Sequence, residues 1–281
     1  MPQAIRIVEP VMNSFSGVVS GGRAVLDVDV IGTYYGNILH HSFGAVPVPA
    51  TKANYITNVK KVEVYLGGTV QMELTPTEII SMNEEKGIPW KDGILPLFFA
   101  QPDSLTAIGE DGTSWGMADI NNFQIVVTFN AVVSPLLSAS RIWRNANITN
   151  GEIITTDRVT VNCAGLAKKV VNIEFELGRV FNAIYAFSDK ILGVKAYVGQ
   201  EKICDASKDT LDFLRETAGY APQSDIFVMS GKQLTARYTD VINGRNPIDP
   251  NKPHKLRLEF EYDAGVVDHD LIIEQVGIRK A

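Results

Sequence analysis

Residues 62–70 read VEVYLGGTV and residues 194–202 read VKAYVGQEK. Laying Gly67 on Gly199, an offset of 132, pairs Val62, Val64, Tyr65 and Leu66 with Val194, Ala196, Tyr197 and Val198. A strand ending in a glycine turn is therefore written twice, and so long a repeat constrains the fold more than any single motif. The match extends downstream. PTEIISMNEE (76–85) falls on DTLDFLRETA (209–218), both with apolar residues at helical spacing behind a Thr or Asp able to cap. LPLFFA (95–100) falls on SDIFVM (224–229) at an offset of 129, and QIVVTFN (124–130) on KLRLEFE (255–261) at 131. Upstream, GTYYGNILHHS (32–42) lies over GRVFNAIYAFS (178–188) at 146, and LDVDV (26–30) over IEFEL (173–177) at 147. Ile31 is then one residue extra, which places a β-bulge there. The first copy also holds about 14 surplus residues in GAVPVPATKANYITN (44–58), read as a Pro-containing loop.

Nearly every matched segment alternates apolar and polar residues, or is a β-branched and aromatic run of strand length bounded by turn residues. Each copy thus contains about eight short strands and one short helix, with sheets that bury one face and expose the other. The fold class is all-β: two tandem jelly-roll β-barrels, a double jelly roll, each with one short helix. An N-terminal arm is expected over residues 1–20, the first jelly roll over 21–147 and the second over 148–281. The joint lies in the polar stretch RNANITNGEIITTD (144–157), and LIIEQVGIR (271–279) is the last strand.

With 281 residues, 45% hydrophobic and 21% charged, the chain has the composition of a folded protein with a sizeable core. Its net charge of −6 and scattered Lys and Arg disfavour direct nucleic-acid binding. The basic pairs Lys60-Lys61, Lys168-Lys169 and Arg279-Lys280 read as solvated surface. No run approaches the roughly 18 apolar residues of a membrane span, and Arg6 and Glu9 interrupt any secretory-type apolar core at the N-terminus. Cys163 and Cys204 lack the spacing of a disulfide framework or a metal site, which fits a reducing compartment. The triplet Asn147-Ile148-Thr149 is a sequon in form only.

The repeat also serves as an internal control, because a single catalytic apparatus belongs in one copy. His40 and His41 are neighbours on a strand, point to opposite faces and cannot grip one metal together; Ala186 and Phe187 take their places in the second copy. His254 and His269 stand in turn regions without a Ser or Cys nucleophile. Asp27 and Asp29 share a strand face at a separation of about 7 Å by strand rise, near that of a glycosidase pair, but Glu174 and Glu176 repeat the pattern as a polar outer face. Asp268-His269-Asp270 and Glu110-Asp111-Gly112 lack the oxygen spacing of a calcium loop. Cys204 aligns with Met72 as a small core residue, and Trp90, Trp115 and Trp143 read as packing rather than a sugar platform. Gly21-Gly22 and Gly67-Gly68 are turn glycines without a phosphate-binding fingerprint. No residue is singled out as catalytic, cofactor-binding or metal-binding, and the chain is expected not to be an enzyme.

The order of pieces resembles the double jelly-roll major capsid proteins of membrane-containing icosahedral viruses, most closely the type found in corticoviruses, tailless marine bacteriophages. It is carried by TNVKKVEVYLGG, TPTEIISMNEE, ILPLFFAQP, FQIVVTFNA and LSASRIWRNANI in the first copy. KVVNIEFEL, VKAYVGQEK, DTLDFLRE and HKLRLEFEYDAG carry it in the second. The resemblance implies a structural role: a homotrimer whose six barrels form a pseudo-hexameric capsomer tiling an icosahedral shell around an internal membrane. It implies as partners the chain itself, neighbouring trimers, a vertex protein and the membrane surface, with localisation in the virion after synthesis in a host bacterial cytoplasm. Residues 44–58 and 101–121 become candidates for tower loops or contacts between trimers. Fold alone does not fix function, so a tandem jelly-roll carbohydrate-binding protein or glycosidase is the alternative, and a spike or minor vertex protein a third.

Overall fold

The computed structural model describes residues 6–44, 46–100, 111–132, 134–174, 179–231 and 255–280. The chain forms two compact units, residues 1–155 with 279–281, and residues 156–278.

In the first unit, β2 (Arg23–Asp27), β9 (Phe123–Phe129), β5 (Val59–Leu66) and β6 (Thr69–Leu74) make one antiparallel sheet in that spatial order. The opposing sheet sets β1 (Ile7–Pro10) beside β10 (Leu136–Arg144) and β10 beside β3 (Thr33–Phe43). The far edge of β3 takes β8 (Trp115–Gly116), β7 (Ile94–Phe98) and β4 (Val48–Pro49) along its length. Aromatic rings join the sheets: Tyr34 and Phe99 of one meet Phe123 of the other edge-on at 5.2 and 5.6 Å.

The second unit repeats this plan. One sheet runs β12 (Lys168–Glu174), β17 (Lys255–Tyr262), β14 (Ile191–Val198), β15 (Glu201–Ser207). The other runs β11 (Ile153–Val161), β18 (His269–Gly277), β13 (Arg179–Ala186), β16 (Phe227–Ser230). Strands of both sheets feed one apolar core, in which Ile184, Ala196, Leu256, Leu258 and Leu271 are fully buried. A sheet apolar on one face must bury it, and two such sheets face to face solve the problem for both.

The duplication extends to the irregularities. β5 and β6 slip register so that Gln71 is unpaired, and β14 and β15 slip at Ile203, the position that the Gly67–Gly199 alignment lays over Gln71. Lys60 and Leu192 are likewise extra where β5 meets β9 and β14 meets β17. Tyr35 in β3 and Asn182 in β13 form a third matched pair. Bulges increase local twist and bend a strand, so the same three bends shape both barrels. The link between β5 and β6 has positive φ at Gly67 and Gly68, and that between β14 and β15 at Gly199, as tight hairpin turns require.

Each barrel also has a helix in the same place: α2 (Pro76–Glu85) and α3 (Lys208–Thr217), in the same alignment as the hairpins before them. Thr75 caps α2 by accepting from the Glu78 amide, while Glu78 accepts from the Thr75 amide at 2.6 Å, a complete capping box. Ser207 caps α3 by accepting from the Thr210 amide.

Several expectations need correction. Residues 7–10, assigned to an arm, are the edge strand of the first barrel, because Glu9 pairs across to Arg141. The strand read through Val30 stops at Asp27, and Ile31 lies outside any strand beside Gly32, whose φ is +65°. A Cβ at Gly32 would stand 2.4 Å from the Arg144 carbonyl oxygen, so a turn rather than a bulge occupies this point. The stretch 44–58 holds β4 and a further helix, α1 (Lys52–Asn58), capped by Thr51 and anchored by the buried Tyr55. The first barrel therefore has a helix besides α2. The last strand is 269–277, and the units divide at Thr155 and Thr156. Strand registers move the offsets from 129, 131 and 146 to 132, 133 and 147, and the helix offset from 133 to 132. Of these shifts only the move from 131 to 133 is the slip of two that an alternating pattern tolerates; the other strand shifts are odd and change which face a residue takes, so hydrogen-bond pairing is needed to set them. His254, Glu176, Glu110 and residues 101–110 lie outside the described residues.

Thr75→Ala is expected to lower stability by about 1 kcal/mol, whereas Thr75→Gly costs only a few tenths. Urea unfolding of the two variants checks this, and Ser207→Ala should behave like Thr75→Ala.

Candidate functional site

A dense polar constellation surrounds Arg141, which is 3% exposed on the inward face of β10. Cross-strand pairing sets it directly opposite Glu9 of β1 and Asn37 of β3. Its guanidinium donates to Glu9 at 2.6 and 2.9 Å, to Asp29 at 2.9 Å and to the Tyr34 hydroxyl at 3.2 Å. Tyr34 in turn donates to the Asp29 carbonyl, and the guanidinium lies 4.4 Å from the Trp143 ring centre. A buried cation here has both countercharge and hydrogen bonds, the condition for tolerating its burial. The cluster ties β1, β10 and the 28–32 turn together and leaves no free base or acid for chemistry. The Asn37 side-chain amide has no hydrogen-bond partner among the described residues. In the second barrel Ile184 and Ile273 take the places of Asn37 and Arg141, and both are buried in the core. Sequence reasoning missed Arg141 and Glu9. The available signal was the alternation Ala139, Arg141, Trp143, which sets an arginine on an apolar face.

His40 and His41 point apart. His40 shares a hydrogen bond of 2.9 Å with Ser140, and among the described residues it bonds no carboxylate. His41 is buried against Phe43, Tyr55 and Phe129, and desolvation pushes its pKa down to about 3. An open groove of about 510 Å³ runs past His40, Ser42, Asp92, Leu136 and Ser138. Asp92 in it already accepts from the Trp90 indole at 2.7 Å.

His269 corrects the sequence reading, for the fold brings Cys163 to 3.4 Å from its Nδ1. Burial raises the Cys163 thiol and lowers the His269 imidazole, so both stay neutral, opposite to an activated thiolate pair. Amides of Ala164 and Cys163 donate to Asp268 and hold its carboxyl below the usual range. Asp270 accepts from Arg158 and Thr160. Asp268 thus serves the turn after β11 and Asp270 ties β18 to β11, and no group of three metal-binding side chains forms among the described residues.

Asp27 accepts from Gln124, while Asp29 belongs to the Arg141 cluster, so the pair does not act as one polar face. Asp111 accepts from Tyr35 and Arg144. Burial and Asp111 together push Tyr35 up to about 12, which keeps its hydroxyl a donor. Trp115 and Trp143 are buried and Trp90 packs on Tyr55, so they build no exposed sugar platform. Cys204 lies in the second core. Lys61 is paired with Glu63 and Glu73, and Lys168 with Glu261. No helix among the described residues is long and apolar enough to cross a membrane.

Residues 10–141 match the family model described as viral coat protein P2 N-terminal domain. The fold matches the crystal structure of the major capsid protein P2 from Bacteriophage PM2, with a TM-score of 0.81, 17% identity and 98% of each chain covered. It also matches a chain of the atomic structure of Sulfolobus Turreted Icosahedral Virus at a TM-score of 0.66, 8% identity, 97% of this chain and 90% of that one. The Faustovirus major capsid protein gives 0.63 and 7% identity, over 100% of this chain and 92% of that one. No curated protein matches in sequence. The double jelly roll and the resemblance to its capsid proteins are thus borne out.

Removing the guanidinium leaves two carboxylates facing a half-dry site. Arg141→Ala is expected to destabilise by about 2–3 kcal/mol, below the usual penalty for a fully buried pair because Glu9 is partly exposed. Denaturant unfolding measures the loss, and hydrogen exchange should rise first in residues 7–10. For His41, the folded value lies below the unfolded one of about 6.5, so the unfolded chain takes up the proton first. Its contribution is complete above pH 6.5 and falls by about 1.4 kcal/mol per unit towards pH 3. His41→Phe should flatten that part of the stability profile relative to the parent chain.

Proposed function

We propose that this chain, whose first unit carries the match to the viral coat protein P2 N-terminal domain, is a major capsid protein that assembles as a homotrimer. Three copies with two barrels each form a pseudo-hexameric capsomer, and capsomers tile an icosahedral shell around an internal membrane. The observation that carries this reading is the duplication itself, down to three matched bulges, in a chain that resembles double jelly-roll capsid proteins end to end. Two barrels of one shape but different surfaces allow a threefold oligomer to fill a sixfold position through heterologous contacts. The net charge of −6 agrees with a shell kept from its genome by lipid. A vertex protein and the membrane surface are the further partners of this reading, and synthesis takes place in a bacterial host's cytoplasm.

Light scattering on the purified chain should give about three times 30.8 kDa, with hexagonal outlines in negative stain. A monomer at micromolar concentration sinks the proposal.

A further inference from the structure

We infer that the outer face of α3, centred on Phe213, is a contact between copies of this chain, and that a second copy's α1 covers it. This rests on the self-assembling role proposed above. Phe213 is 63% exposed and is the only aromatic among the exposed large hydrophobic residues of the described chain; Leu214 beside it is 41% exposed. Aromatic side chains are enriched at protein interfaces.

The duplication supplies the comparison. Phe213, Leu214 and Glu216 of α3 stand where Ser81, Met82 and Glu84 stand in α2. Ser81 and Met82 are buried, and Glu84 is paired at 2.7 Å with Lys52 of α1, the helix lying against α2. The second unit has no counterpart of α1, because only residues 187–190 join β13 to β14. The helix that lacks a cover among the described residues of its own unit thus carries a large aromatic where the covered one carries a serine.

Charge complementarity selects the occupant. On α3, Asp209 and Glu216 are exposed, the Lys208 charge is answered by Asp212 at 2.6 Å, and Arg215 is buried beneath Tyr220. The exposed rim of Phe213 is therefore acidic. On α1, Ala53 and Ile56 are exposed, and residues 51–62 contain Lys52, Lys60 and Lys61 but no acid. Lys52 and Lys61 are paired with carboxylates of their own unit, while Lys60, two residues past α1 at the bulge of β5, is exposed. An apolar centre beside an exposed base meets an apolar centre flanked by acids, in a heterologous contact that can close into a ring.

The test uses cysteines, since Cys163 and Cys204 are both buried and free. In the full chain carrying Ile56→Cys and Phe213→Cys, mild oxidation should give covalent dimers and trimers that neither single variant gives. Bonds formed only within one chain, or none while the oligomer persists, overturn the inference. Phe213→Ser, copying Ser81, should weaken association at least tenfold with an unchanged circular dichroism spectrum; unaltered association also overturns it. A monomeric parent chain removes the assembly reading and this contact together, whereas an intact trimer without the cross-link removes the contact alone.

Discussion

Burial of one face of each β-sheet is the constraint on which the rest of this structure depends. Each half of the chain satisfies it with two sheets, and each bends its strands with bulges at equivalent positions. Gln71 and Ile203, Lys60 and Leu192, and Tyr35 and Asn182 are three pairs of extra residues in one three-dimensional plan. A bulge changes twist locally, so its loss in one copy would have let the two barrels diverge in shape.

On this shared plan, the differences between copies carry the functional information. The inward positions held by Ile184 and Ile273 in the second barrel hold Asn37 and Arg141 in the first. A charge on an apolar face requires countercharge, and Glu9 with Asp29 provides it, which fastens the N-terminal strand to the barrel. At another bulge, Gln71 accepts from the Lys280 amide at 2.7 Å and donates to the Lys280 carbonyl, where the second barrel has Ile203. The first unit thereby holds both ends of the described chain by polar side chains that its twin lacks. Helix α2 lies under α1, whereas α3 shows Phe213 to solvent.

Much of the fold was legible. Alternation along VEVYLGGTV and its echo, the glycine turns and the helix starts behind Thr75 are local signals, and each is read from neighbours a few residues away. The missed elements lacked such signals. Ile7–Pro10 is four residues long and is a strand only because β10 lies beside it. Helix α1 has seven residues and a single buried side chain, Tyr55, too little for a helical period to show. The histidines and carboxylates weighed for chemistry were placed correctly by face where strands held them, as with His40 and His41. Where a turn meets a strand end from a distant segment, as Cys163 meets His269, no spacing announces the meeting.

By itself the sequence determined that the chain is two related β-barrels, because period-two patterns and one long internal repeat are properties of the linear order. Tertiary structure alone decided which residues oppose one another. Strand register can slip by two without changing a pattern, and only the full set of cross-strand hydrogen bonds and packed faces selects one pairing. That selection put Arg141 between Glu9 and Asn37, set the bulges, and left Phe213 uncovered.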